Sequence, residues 1–178
     1  MARRKMKGDG GDSMHPRHLY FATFAWLVFS GGRFTAPFLE QVAGFNESQT
    51  GFALALQSFL TAALSSAAGS AADRLEARRP GRGRLEALVA SIGLGTAVIL
   101  MHGVVSRALG GDTRLSVVVH TALRGLYAVA LATAFPVMDG ITLASLKDSG
   151  KGREEYGKER FYGECSLVIL RRSCLLFI

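Results

Sequence analysis

The chain has 178 residues, of which 49% are hydrophobic, and it carries a formal net charge of +7. Its mean hydropathy is +0.24, and its charges are concentrated in a few short stretches. This segregation excludes an ordinary soluble domain, in which each surface helix keeps a charged face. Because the two cysteines and four histidines show no metal-binding spacing and no phosphate loop is present, we expect no metal, no cofactor and no enzyme activity.

Four apolar segments approach or exceed the roughly 20 residues that cross a bilayer as a helix. In chain order they are 19–39, 49–72, 85–106 and 116–146. None alternates with the period of a strand, so helices are predicted. Buried helices of a soluble bundle are the alternative, but segment 49–72 carries no charge at all. A signal peptide is the alternative for the first segment; its apolar run is too long and lacks a clear cleavage site, so we expect a retained helix.

The basic residues alternate from one side of these segments to the other. They cluster in the tail 1–18, in the loop 73–84 and in the segment 147–163, whereas 40–48 carries only acids. The positive-inside rule then predicts a cytoplasmic amino terminus and a fourth helix that returns inward. We expect the basic clusters to contact anionic lipid rather than nucleic acid. The predicted fold class is an all-α, multi-pass integral membrane protein.

The second apolar segment ends at an acid followed by positive charge. Asp73 stands at that border, and a negative charge beside a membrane needs a partner or water. The nearest partners in sequence are Arg74, Arg78 and Arg79, the amino-terminal end of another helix is a further one, and a plain solvated turn is the alternative.

The residues Gly69, Asp73, Arg74, Arg78 and Arg79 resemble the loop signature of the major facilitator superfamily, G-x-x-x-D-R-x-G-R-R/K. In that family the acid and the basic residues form a cytoplasmic gating latch. This chain has Glu76 where the family has its second glycine and Ala77 where it has an arginine.

Three further stretches resemble the facilitator subgroup related to nucleoside and sugar proton symporters. Segments 135–146 and 152–163 are similar to the end of its fourth helix and the following loop, and 45–57 to the entry of its second helix, where Ser48 is a plausible N-cap. The positions carried over are Pro136, Asp139, Tyr156, Gly157, Arg160 and Gly163. The resemblance covers 19–163 and implies a transporter of twelve helices, with the first four, 19–146, in this chain.

Polar residues inside the predicted spans are candidates for a substrate or proton pathway. From the helical rise, Arg33 lies roughly 20 Å along the first helix, and Gln57 and Arg124 each lie roughly 12 Å from the outer ends of theirs. All three then share one level. Arg33 and Arg124 would favour an anionic solute, or would pair with carboxylates on helices absent from this chain; Arg33 alternatively snorkels to the outer interface.

Asp139 is the acid inside the fourth predicted span. If it faces the interior it would suit a proton carrier. The alternative is a structural acid paired with Arg160 or Lys147 at the cytoplasmic rim.

Residues 164–178 contain Arg171 and Arg172 within an apolar run too short to span, which predicts an incomplete fifth helix and a truncated amino-terminal fragment. The predicted function is proton-coupled secondary transport of a small polar solute, incomplete and inactive alone. The alternative is a small membrane scaffold that binds other transmembrane helices. The expected partners are the lipid bilayer, a small solute in the complete protein, and other helices.

Overall fold

The computed structural model describes residues 23, 26, 34–109, 113–150, 154–158 and 161. Four helices follow one another in this part: α1 (Thr35–Gln41), α2 (Glu47–Arg78), α3 (Gly83–Leu109) and α4 (Thr113–Asp148). Residues 154–158 form a further short helical stretch, and the described ranges contain no strand. We call the end with the 79–82 turn and the last residues of α4 the basic end, and the end where α2 and α4 begin the opposite end.

Three of the helices are long and apolar enough to cross a membrane. They are α2, α3 and α4, with 32, 27 and 36 residues. At about 1.5 Å per residue each is longer than the roughly 30 Å of a hydrocarbon core. The predicted spans 49–72, 85–106 and 116–146 fall within them. Most of the first predicted span and all of 164–178 lie outside the described residues, so the count of four spans and an incomplete fifth stays a prediction.

Helix α4 lies between its two neighbours and packs against both α2 and α3. Near the basic end, Ala72 of α2 and Leu88 of α3 meet Ala134 and Val137 of α4. Small residues permit this close approach in lipid: a methyl group added at Gly69 would lie 3.5 Å from the Pro136 side chain. Although Pro136 removes one backbone hydrogen bond, α4 continues through it as helix.

The start of α2 differs from the prediction. Asn46, not Ser48, is the N-cap: its side chain accepts a hydrogen bond from Gln49 N at 2.8 Å, and the Gln49 side chain accepts one from Asn46 N at 3.0 Å. This reciprocal pair is a capping box, which satisfies two otherwise unpaired backbone donors. The helix therefore begins at Glu47, and Ser48 lies exposed in its first turn.

Candidate functional site

At the basic end, Asp73 lies within α2 rather than after it, because the helix continues to Arg78. Its ion pair is with Arg84 in the first turn of α3: the Arg84 Nη2 and Nε atoms lie 2.8 and 3.1 Å from Asp73 Oδ1. The three arginines nearest in sequence were therefore wrong as partners, whereas the further alternative, the amino-terminal end of another helix, is where Arg84 lies. Arg79 instead pairs with Glu86 at 2.7 Å, and Arg74 and Arg78 are exposed.

Arg84 also reaches the third long helix. Its Nη1 atom donates to the Gly140 carbonyl oxygen at 3.4 Å, and a methyl group at Gly140 would lie 3.3 Å from Arg84 Nε. One guanidinium thus joins α2, α3 and α4. The neighbouring Asp139 is half-buried on α4 and Lys147 is exposed, while Arg160 lies outside the described residues. Whether Asp139 carries a proton or pairs with one of these bases stays a prediction.

Glu76 closes the turn between α2 and α3. Its two carboxylate oxygens accept hydrogen bonds from Gly81 N at 2.6 Å and from Arg84 N at 2.9 Å. A negative charge at a helix amino terminus is favourable, because the free N–H groups there point toward it. The residue that replaces the signature's second glycine therefore acts as a cap for α3.

In the middle of the bundle the structure brings together two of the predicted pathway residues. Arg124 of α4 donates through Nη2 to Oε1 of Gln57 on α2, and its guanidinium carbon lies 4.8 Å from the centre of the Tyr127 ring. Arg124 is only 4% exposed, and its Nε has no hydrogen-bond partner. Within the described ranges no carboxylate pairs with it. Arg33, predicted at the same level, lies outside those ranges.

Sequence reasoning missed a histidine pair at the opposite end. Nδ1 of His102 on α3 and Nδ1 of His120 on α4 are 2.6 Å apart, and the two rings are nearly parallel. His120 Nε2 lies 3.1 Å from Ser106 Oγ. Both histidines lie near the outer ends of consecutive antiparallel helices, and this placement was the sequence signal for the pair. A metal-binding spacing does not detect it.

The carried-over loop motif is described only in part. Tyr156 and Gly157 belong to the helical stretch 154–158, and Arg160 and Gly163 lie outside the described residues. In this stretch Lys158 pairs with Glu155 at 2.6 Å, and this hydrogen bond raises the pKa of Lys158. No function of the motif follows from that exposed pair.

Long apolar helices joined by buried polar contacts indicate a membrane protein. The sequence model described as the MFS_1 like family matches residues 17–174. The chain therefore belongs to this family, which indicates a membrane transporter rather than an enzyme. Comparison with curated proteins and with solved structures gave no significant match.

Proposed function

We propose that this chain forms part of the amino-terminal half of a proton-coupled secondary transporter, and that the solute carries an anionic group which binds at Arg124. The observation that carries the proposal is the burial of Arg124 without a carboxylate partner in the described part of the chain. The cytoplasmic position of the amino terminus and the relation to nucleoside and sugar symporters belong to the same proposal.

A buried, unpaired guanidinium is expensive, because its desolvation amounts to several kcal/mol. Gln57 and the Tyr127 ring offset a part of this penalty, since an amide oxygen and an aromatic face both attract a cation. They supply no negative charge. A carboxylate or phosphate group supplies a negative charge, and its oxygens match the bidentate hydrogen-bond geometry of a guanidinium. The unsatisfied Nε is the donor that such a group would use.

The contacts at the basic end support an alternating-access mechanism. Asp73, Arg84 and the Gly140 carbonyl hold α2, α3 and α4 together at that end, away from Arg124. We propose that this latch stabilises one access state and opens in the other, with Asp139 beside it as a proton carrier. Transport requires two half-bundles around a central site, so this chain would supply part of one half in the complete transporter.

Anion binding to the full chain in lipid nanodiscs tests the proposal. Trp26 is the only tryptophan of the chain, and its ring centre lies 6.1 Å from that of Tyr127, so its fluorescence reports on the surroundings of Arg124. We expect inorganic phosphate to change this signal with a saturable dependence. Arg124→Gln should weaken binding at least about tenfold, which corresponds to one lost charge-assisted hydrogen bond.

The matched control is Arg107→Gln, which removes an exposed arginine from the last turn of α3. It should bind phosphate as the parent chain does. Equal affinities for the parent and Arg124→Gln would show that the buried guanidinium is not an anion site.

The second candidate function, a membrane scaffold, is favoured by an open groove between α2 and α4. Its volume is about 720 Å³, and its walls include Phe52, Leu56, Leu60 and Val118. An apolar groove of this kind would accept another transmembrane helix. The phosphate titration separates the two functions, because a scaffold needs no anion at Arg124.

A further inference from the structure

The histidine pair closes a hydrogen-bonded ring between α3 and α4. His102 Nδ1 is bonded to His120 Nδ1, and His120 Nε2 to Ser106 Oγ. The Ser106 hydroxyl donates to the His102 carbonyl oxygen at 2.9 Å, four residues earlier on the same helix. Every bond of the ring therefore constrains the positions of the hydrogens in the others.

When both rings are neutral, this constraint fixes which nitrogen of each histidine carries its hydrogen. The single hydroxyl hydrogen of Ser106 is used toward the His102 carbonyl, so Ser106 Oγ must accept from His120 Nε2. A neutral His120 protonated at Nε2 has a bare Nδ1, which accepts from His102 Nδ1. His102 then keeps no hydrogen on Nε2, the ring atom that has no hydrogen-bond partner.

The pair is shielded from solvent. His102 is 6% exposed and His120 is fully buried. The ring centre of Phe38 from α1 lies 5.8 Å from that of His102 and 5.7 Å from that of His120, in edge-to-face geometry, and Phe45 also meets His120 edge-on. A buried nitrogen lone pair with no donor is unusual, because such groups are normally satisfied.

The charged group that faces the pair is Arg124. It lies one helical turn beyond His120 on α4 and acts electrostatically on His102. In the described residues, α1 and the 42–46 connection offer phenyl rings, α3 offers Ser106, and α2 offers the uncharged Gln57 amide to Arg124. A proton on the pair is therefore opposed first by burial and also by one buried positive charge, and no negative group of the described residues attracts it.

From this arrangement we infer that the His102–His120 pair is a binding site for one proton, which it takes up at His102 Nε2 when an anion neutralises Arg124. A first proton leaves the Nδ1–H···Nδ1 bond intact and makes it charge-assisted. A second proton would place N–H against N–H at 2.6 Å, so it requires α3 and α4 to separate. The inference rests on the proposed anion site and specifies how proton and solute are coupled.

The first test is nuclear magnetic resonance of ¹⁵N-labelled histidine in the full chain in lipid nanodiscs. The substitutions His15→Gln and His18→Gln leave only the pair visible. At alkaline pH we expect one ring protonated at Nδ1 and the other at Nε2. On acidification, one ring should become doubly protonated while its partner stays neutral.

The second test measures the coupling with inorganic phosphate. We expect phosphate to tighten proton binding to the pair about tenfold, because a bound anion removes the repulsion between the buried Arg124 charge and the added proton. Arg124→Gln should tighten it about as much without phosphate, and phosphate should then have no further effect. Arg107→Gln, with its exposed side chain, should behave as the parent chain does.

The outcomes separate the two hypotheses. Identical tautomers in both rings, double protonation in one step, or no protonation down to about pH 4 in any of these samples would overturn the one-proton site. If phosphate does not bind but Arg124→Gln still gives tighter single protonation, the pair stands and the anion site falls. If phosphate binds at Arg124 and proton binding is unchanged, the coupling is wrong and the anion site stands.

Discussion

A close side-chain contact that a single methyl group can test is at Gly95. This residue of α3 is buried under Trp26 and Tyr127, and a Cβ atom there would lie 2.5 Å from Trp26 Cζ2 and 3.2 Å from Tyr127 Cε2. The Trp26 indole also donates from Nε1 to Thr96 Oγ1 at 2.9 Å. Gly95→Ala therefore forces a rigid ring away from a position that a hydrogen bond holds.

Two effects set the expected loss of stability in Gly95→Ala relative to its control. Overpacking a well-packed contact costs about 1–3 kcal/mol, and a lost hydrogen bond costs about 1 kcal/mol. Replacing a glycine by alanine in a helix interior stabilises the helix by about 1 kcal/mol, and this gain is the same in the control. Gly93→Ala is the matched control, because nothing lies within 4 Å of its added Cβ. Gly95→Ala should thus lower the free energy of unfolding by about 2–4 kcal/mol relative to Gly93→Ala.

The assay uses the fluorescence of Trp26, the only tryptophan. Gly95→Ala should shift its emission and change its accessibility to a collisional quencher, whereas Gly93→Ala should leave both as in the parent chain. Unfolding of the detergent-solubilised variants measures the free-energy difference. Unchanged emission together with equal unfolding of the two variants would refute the packing of Trp26 on α3.

Two further substitutions probe the helix boundaries. Asn46→Ala removes the capping box and should lower the free energy of unfolding by about 1 kcal/mol, whereas Ser48→Ala should change it little; equal effects would contradict the cap assignment. Gly83→Ala places a methyl group 2.4 Å from the backbone nitrogen of Glu76, and backbone cannot rotate away as a side chain can. We expect a loss of at least about 3 kcal/mol, measured by the same unfolding assay, and stability no lower than that of the parent chain for Gly103→Ala, whose added Cβ meets nothing within 4 Å.

Composition and spacing predicted the long apolar helices because lipid imposes a minimum length and a nearly complete exclusion of charge. The helical rise also placed Gln57 and Arg124 at one level, and the structure joins their side chains. Depth along a helix is thus readable from the sequence. The role of these residues in transport remains a proposal.

Rotation about the helix axis was not readable in the same way. A helix that is apolar on all sides gives little indication of which side faces its neighbour. The partner of Asp73 is therefore Arg84, eleven residues away, and not one of the arginines nearest in sequence. The pairing of His102 with His120 depends in the same way on the rotation of two helices.

Three of the polar contacts that helix α4 makes with other helices differ in how readily they can be broken. The Gly140 carbonyl meets the Asp73–Arg84 pair at the basic end, where Asp73 is 65% exposed and water competes for its hydrogen bonds. Arg124 and His120 lie in the buried part, where no water offers an alternative partner. A rearrangement of α4 therefore needs a replacement partner for the buried groups but only hydration for the basic end. An anion and a proton are such partners, which is why we propose solute binding at Arg124, proton binding at the histidine pair, and gating at the basic end, beside the other proposed proton carrier, Asp139.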